Sequence, residues 1–151
     1  MNAEILSSIQ TKLGEITALK YKDEDWGQLE DYGPHVPVQW PCCLIDFADI
    51  TYSDIGTDRS QTPQKRQRGT GTIALNFANL KLTKTSSNAP ALQKEQAYML
   101  LGIIQQAHEI LQGFRPIVMS GGLNRSRIQR VKRDDGIQHY RVTYTIGIDN
   151  V

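Results

Sequence analysis

Apolar positions along the first third of the chain change period twice. Ile5, Leu6, Ile9, Leu13 and Ile16 recur at helical spacing among polar residues, with Asn2 placed to cap them and Gly14 as the weak point. This pattern predicts an amphipathic helix over residues 3–18. Residues 19–30 read as a short polar strand running into a loop. Gly33, Pro34, Pro37 and Pro41 exclude a helix over 31–41 and predict an extended connector. From Cys42 the period becomes two: Cys43, Ile45 and Phe47 lie on one face, against Leu44, Asp46 and Ala48. That is a strand over 42–50. Residues 51–68 lose the apolar alternation and contain Gly56, Pro63 and many polar side chains, which predicts a long flexible loop, basic toward its end. Alternation returns over 69–82, where Ile73, Leu75 and Phe77 oppose Thr72, Ala74 and Asn76. The two strands predict a hairpin with the loop at its tip.

Residues 83–89 read as a second flexible polar loop. Pro90 opens a second helix, where its missing N–H costs little, and Gly113 followed by Pro116 closes it. Leu92, Met99, Leu100, Ile103, Ile104, Ala107, Ile110 and Leu111 give that helix its apolar face. The last third predicts a hairpin of 123–133 and 137–149, joined by Asp134-Asp135-Gly136. In its final strand Tyr140, Val142, Tyr144, Ile146 and Ile148 alternate with Arg141, Thr143 and Thr145. The order is α-β-β-β-α-β-β. It predicts an α+β fold with a mainly antiparallel sheet of four to five strands and two helices packed on one face. The other face is left for solvent or a neighbouring subunit. A length of 151 residues, with no repeat and no internal boundary, predicts a single domain over 1–151.

Composition narrows the chemistry. Seventeen basic and sixteen acidic residues leave a net charge of +1, so no whole-molecule field favours nucleic acid or membrane. No apolar run approaches the ~20 residues that span a bilayer, and the start of the chain lacks a signal-peptide core, which predicts a soluble protein made in the cytoplasm. Cys42 and Cys43 are adjacent; on a strand they point to opposite faces, which disfavours a mutual disulfide and predicts two buried or half-buried thiols, with pairing to another chain as the alternative. His35, His108 and His139 are scattered, without the spacing of a zinc site. Asp46 and Asp49 are three apart on a strand and so are expected on opposite faces, which argues against a catalytic carboxylate pair. Ser120-Gly121-Gly122 leads into a strand rather than a helix, unlike a phosphate loop. Two basic segments remain: Arg59, Lys65, Arg66 and Arg68, and then Arg125, Arg127, Arg130, Lys132 and Arg133. Neither run contains an aromatic residue for base stacking. The expectation is no catalytic, cofactor or metal site, and a function carried by surfaces.

Four stretches in this order carry a resemblance across nearly the whole chain: LKYKDEDWGQLE after the first helix, WPCCLIDFADITYSD, QRGTGTIALNF and the closing HYRVTYTIGID. With the Pro-started helix between them, the chain resembles tail terminator (tail-completion) proteins of long-tailed bacteriophages, the small siphophage minor tail proteins. The resemblance implies a non-enzymatic virion protein of the tail, without cofactor or membrane. It implies a ring, typically a hexamer, that caps the tail tube, ends its polymerisation and presents a docking surface for the head connector. Partners would be copies of itself, the tail-tube protein and the head–tail connector protein, with DNA passing through the lumen without sequence-specific binding. On this reading Asp23, Glu24 and Asp25 of one copy face Arg59, Lys65, Arg66 and Arg68 of another, and Arg125 and Arg127 add a positive edge. The alternatives are a head–tail joining or tail-tube component and, from a different class, a small nucleic-acid-binding or regulatory module.

Overall fold

A computed structural model describes residues 2–30, 35–80 and 98–151. Its elements are helix α1 (Asn2–Leu13), strands β1 (Tyr21–Glu24), β2 (Cys42–Thr57) and β3 (Lys65–Leu80), helix α2 (Met99–Leu111), and strands β4 (Asn124–Val131) and β5 (Ile137–Ile148). The α-β-β-β-α-β-β order and the α+β class are those expected. The five strands form one sheet in the order β1-β2-β3-β5-β4. Every neighbouring pair is antiparallel except β1 and β2, which run parallel.

Alternation along the strands places the main core. Cys43 and Ile45 of β2, Ile73, Leu75 and Phe77 of β3, and Val142, Tyr144, Ile146 and Ile148 of β5 share one sheet face. Ile5, Ile9 and Leu13 of α1 and Leu100, Ile103, Ala107 and Leu111 of α2 cover that face. Each fully buried aliphatic or aromatic side chain there contributes about 1.5–3 kcal/mol. Both helices therefore pack on the same side.

The far face is not simply open. Leu29, Cys42, Leu44, Ala78 and Ile137 form a second, smaller apolar cluster, flanked by Tyr21, Val36, Val38 and Trp40. The proline-containing connector thus folds back over one end of the sheet. Cys42 and Cys43 fall into the two different clusters and are free thiols, as strand alternation requires. Burial raises the Cys42 thiol to about 12 and pushes Cys43 well above its ordinary value, so neither is a ready nucleophile.

Other element boundaries differ from expectation for local reasons. Helix α1 stops at Leu13, five residues short of the expected end, and Gly14 N–H closes the last turn onto the Gln10 carbonyl at 3.0 Å. Glycine is a poor helix residue and propagation stops there. The span 51–68, expected to be a loop, is mostly strand: β2 runs to Thr57 and β3 starts at Lys65, leaving a short tip between them. This outer part of the hairpin is solvated, so it has no apolar period to reveal it. The loop expected over 83–89 and the helix start at Pro90 lie outside the described residues.

The hairpin bends at two register shifts, between Phe47 and Asp49 and between Asp54 and Gly56. Gly71 makes the first bend possible. A Cβ at 71 would overlap the Asp49 carbonyl oxygen and stand 2.7 Å from the Ile50 Cα. At Gly69 the nearest obstacle is instead the Tyr52 ring, 2.9 Å away and able to swing outward. Gly71→Ala is therefore expected to cost about 1–3 kcal/mol, and Gly69→Ala clearly less. Urea unfolding of the two variants side by side checks the ranking.

Candidate assembly surfaces

In the acidic run at the end of β1, Asp23 and Asp25 are engaged within the chain. Asp23 accepts from Tyr21 Oη–H at 2.9 Å and from the Glu24 N–H at 2.8 Å, with Trp26 Nε1 and Gln28 Nε2 each at 3.4 Å. Asp25 accepts from the Gly27 N–H and from Asn76 Nδ2, both at 3.0 Å. Only Glu24 of the three is exposed. These carboxylates order the turn that follows β1, and Asp25 ties it to β3, so Asp23 and Asp25 have partners within the chain.

Asn76 continues that network on the far face. Its amide nitrogen donates to Asp25, so its oxygen faces His139 Nε2 at 2.9 Å and must accept. This fixes the proton on Nε2 and leaves Nδ1 as a bare acceptor, buried without a hydrogen-bond partner among the described residues. Burial and the nearby Arg133 and Arg141 cations hold the His139 pKa down at about 4. Arg141 itself pairs with Asp46 at 3.1 Å.

The four basic residues of the first segment separate into different roles. Arg59 and Lys65 are exposed at the hairpin tip. Arg68 is exposed and pairs with Asp149 at 2.9 Å. Arg66, expected in an exposed loop, is only 5% accessible. Its guanidinium donates to Asn150 Oδ1 at 3.0 Å, to the Asn150 carbonyl, and to the Pro63 carbonyl at 2.8 Å. Gln67 and Val151 exchange backbone bonds of 2.7 and 2.9 Å beside it. Arg66 thus ties the hairpin arm to the segment following β5.

In the second segment Arg125 and Arg127 are exposed on β4 and form no ion pair among the described residues. Arg130 lies over the Tyr140 ring at 6.0 Å. Arg133 is the exception. It binds Asp135 at 2.7 Å, Glu30 at 3.6 Å and the Leu29 carbonyl, clasping the segment after β1 to the final hairpin.

Asp46 and Asp49, expected on opposite faces, lie on the same one. The register shift between them is the reason, because they oppose Ala74 and Thr72, two residues apart on β3. They share the far face, yet Asp46 is neutralised by Arg141. Among the described residues no three His, Cys, Asp or Glu side chains are grouped to hold a metal ion, and no helix is long and apolar enough to cross a membrane.

Several exposed apolar residues had no sequence signal. Val118 is 90% exposed on a turn braced by Arg115, which donates to the Val118 and Ser120 carbonyls at 2.7 and 2.9 Å. Tyr52 and Ile55 stand out on the hairpin arm. Isolated residues in turns and polar strands carry no period, so only their neighbours in space show that they are uncovered.

These features define a class: an α+β protein with a half-covered sheet, exposed strand edges and polar groups largely engaged in holding its own parts together. The same fold occurs in a solved structure of the virion of a native gene transfer agent particle, with a TM-score of 0.54 at 7% identity, covering 95% of this chain and 93% of that chain. No protein-family model matches the sequence, and no curated protein matches it.

Two expectations follow from this geometry. Arg66→Ala should destabilise the fold by about 2 kcal/mol, because the charge-assisted bonds that tie the hairpin arm to Asn150 and Pro63 are lost together with the packing of a buried side chain, whereas Arg68→Glu should stay within about 0.5 kcal/mol of wild type; denaturant midpoints distinguish them. His139 is protonated near pH 6.5 when unfolded and near 4 when folded. Stability is then full above pH 6.5 and is lost as pH falls toward 4, by about 3 kcal/mol at most. His139→Gln should remove that part of the pH dependence, seen by comparing unfolding of the two proteins at pH 7 and pH 5.

Proposed function

We propose that this chain is a non-enzymatic structural protein of a phage-like particle, and more narrowly the terminator that caps a tail tube. The observation that carries this reading is the nearly end-to-end likeness of its fold to a chain of a gene transfer agent virion. The resemblance to tail-completion proteins, based on separate features of the sequence, points the same way. In this role copies of the chain form a ring, in the family typically a hexamer, that stops addition of tail-tube subunits. The ring's opposite surface receives the head–tail connector, and DNA crosses the lumen without being read.

The surface chemistry supports such a role. Arg59, Lys65, Arg68, Arg125, Arg127 and Glu24 are the residues of the expected interface whose side chains remain exposed. Asp23, Asp25 and Arg66 act inside the subunit and contribute by holding its surfaces in place. A solvated hairpin arm with Tyr52 and Ile55 near its end is suited to reach a neighbour. A nucleic-acid-binding module is supported less well, since β4 presents arginines without an aromatic residue on the same strand.

Purified particles from cells with and without an intact copy of the gene test the proposal. The chain is expected in the particles at a small, ring-like copy number, and particles lacking it should show tubes of uncontrolled length by electron microscopy. Absence of the chain from particles would remove the virion role altogether. Its presence with normal tails in the deletion would remove the terminator role and leave a head–tail joining or tube component.

A further inference from the structure

The sheet ends in two free edges of opposite charge. On one side β1 accompanies β2 only over Cys42–Ile45, so residues 46–57 have no strand beyond them among the described residues. That stretch and the first tip residue carry Asp49, Asp54 and Asp58, besides Asp46 paired with Arg141, and no basic side chain. On the other side no strand pairs with the outer edge of β4 among the described residues. Residues 124–133 carry Arg125, Arg127, Arg130, Lys132 and Arg133 and no acidic side chain. Unpaired rows of N–H and C=O groups are templates for another strand. Two β4 edges repel each other, as do two β2 edges, whereas β4 against β2 brings opposite charges together.

Strand direction agrees with charge. β2, β3, β5 and β4 alternate in direction across the sheet, so β4 runs antiparallel to β2. A rotation that carries one copy to the next while keeping the strand direction sets its β2 antiparallel to this β4. The ladder that builds the sheet then continues across the junction.

Register adds a constraint. Through the sheet Asn124 lies level with Thr145, Thr72 and Asp49, and Val131 lies level with His139, Ala78 and Cys42. Because β1 of the next copy already occupies Cys42–Ile45, the incoming β4 must slip along the strands by roughly 13 Å, four residues at ~3.3 Å each. A repeated slip is the stagger that a closed sheet of tilted strands requires. The eight residues of β4 fit within the free part of β2.

We propose that copies of this chain join head to tail by pairing the basic edge of β4 with the acidic free edge of β2 on the next copy. The contact is heterologous and closes by rotation into a ring. It deepens the self-assembly part of the proposed function and rests on that part alone.

The test uses the full chain in two charge-reversed forms, Arg125→Glu with Arg127→Glu, and Asp49→Lys with Asp54→Lys. The four residues are exposed, so each variant is expected to keep the wild-type fold, which thermal unfolding checks. Light scattering over a wide concentration range at low salt should show self-association of the wild type. Each variant alone should weaken it on the order of a hundredfold, and an equimolar mixture of the two should restore it, since every junction in an alternating assembly again pairs opposite charges. A wild type that stays monomeric throughout, a variant that associates unchanged, or a mixture that fails to recover would each overturn the proposal. So would loss of DNA binding in the β4 variant with self-association intact. If the chain is missing from particles while the mixing result holds, the virion role fails and the edge pairing stands.

Discussion

Strand β3 is buried on both faces from Ile73 to Ala78, and the remainder of the fold follows from that double burial. Ile73, Leu75 and Phe77 require an apolar layer on one side, which α1 and α2 supply. Ala74, Asn76 and Ala78 require a thinner cover on the other, and the connector supplies part of it. Asn76 is the costly residue of this strand, because a buried amide must be hydrogen-bonded. Asp25 and His139 satisfy it, and in doing so fix where the turn after β1 lies. One polar residue in the middle of the sheet thereby couples β1, β3 and β5.

Beyond this double-covered region the sheet has no second layer. The outer hairpin arm persists on its backbone ladder, the Arg66 clasp and the bonds exchanged between Gln67 and Val151. β4 is held by β5 along one edge, while Gln112 bridges the end of α2 to Asn124 and Arg125. A sheet covered in its middle and bare at its margins has its unsatisfied backbone groups where another chain can reach them. Several charged side chains on the margins, Asp49, Asp54, Arg125 and Arg127, are exposed, whereas Asp25, Arg66 and Arg133 bind within the chain.

Strong apolar alternation made most of this architecture legible in advance. The core faces of β3 and β5, the shared side of the two helices, the element order and the separation of Cys42 from Cys43 all follow from periods of two or near four. The parallel β1–β2 pairing was not legible, because four polar residues carry no directional signal. The outer hairpin was hidden for a related reason: strands wet on both faces look like loops. The bulge after Phe47 turned a correct rule of alternation into a wrong placement of Asp49. Among the site residues, Arg59, Lys65, Arg68, Arg125 and Arg127 were legible as exposed cations. The internal partners of Asp25 and the burial of Arg66 were not legible, since charge type does not disclose a partner distant in sequence such as Asn76 or Asn150.

The central claim is that the margins of the sheet, and not a pocket, are where this protein works. Hydrogen–deuterium exchange of the free chain and of the chain assembled in particles addresses it most directly. In the free chain the amides of residues 73–78 should exchange slowly, with fast exchange along the outer edges of β4 and residues 46–57. Assembly should slow both edges together and leave residues 73–78 unchanged. Edges that keep exchanging freely in the assembled state, with protection appearing only elsewhere, would contradict the account.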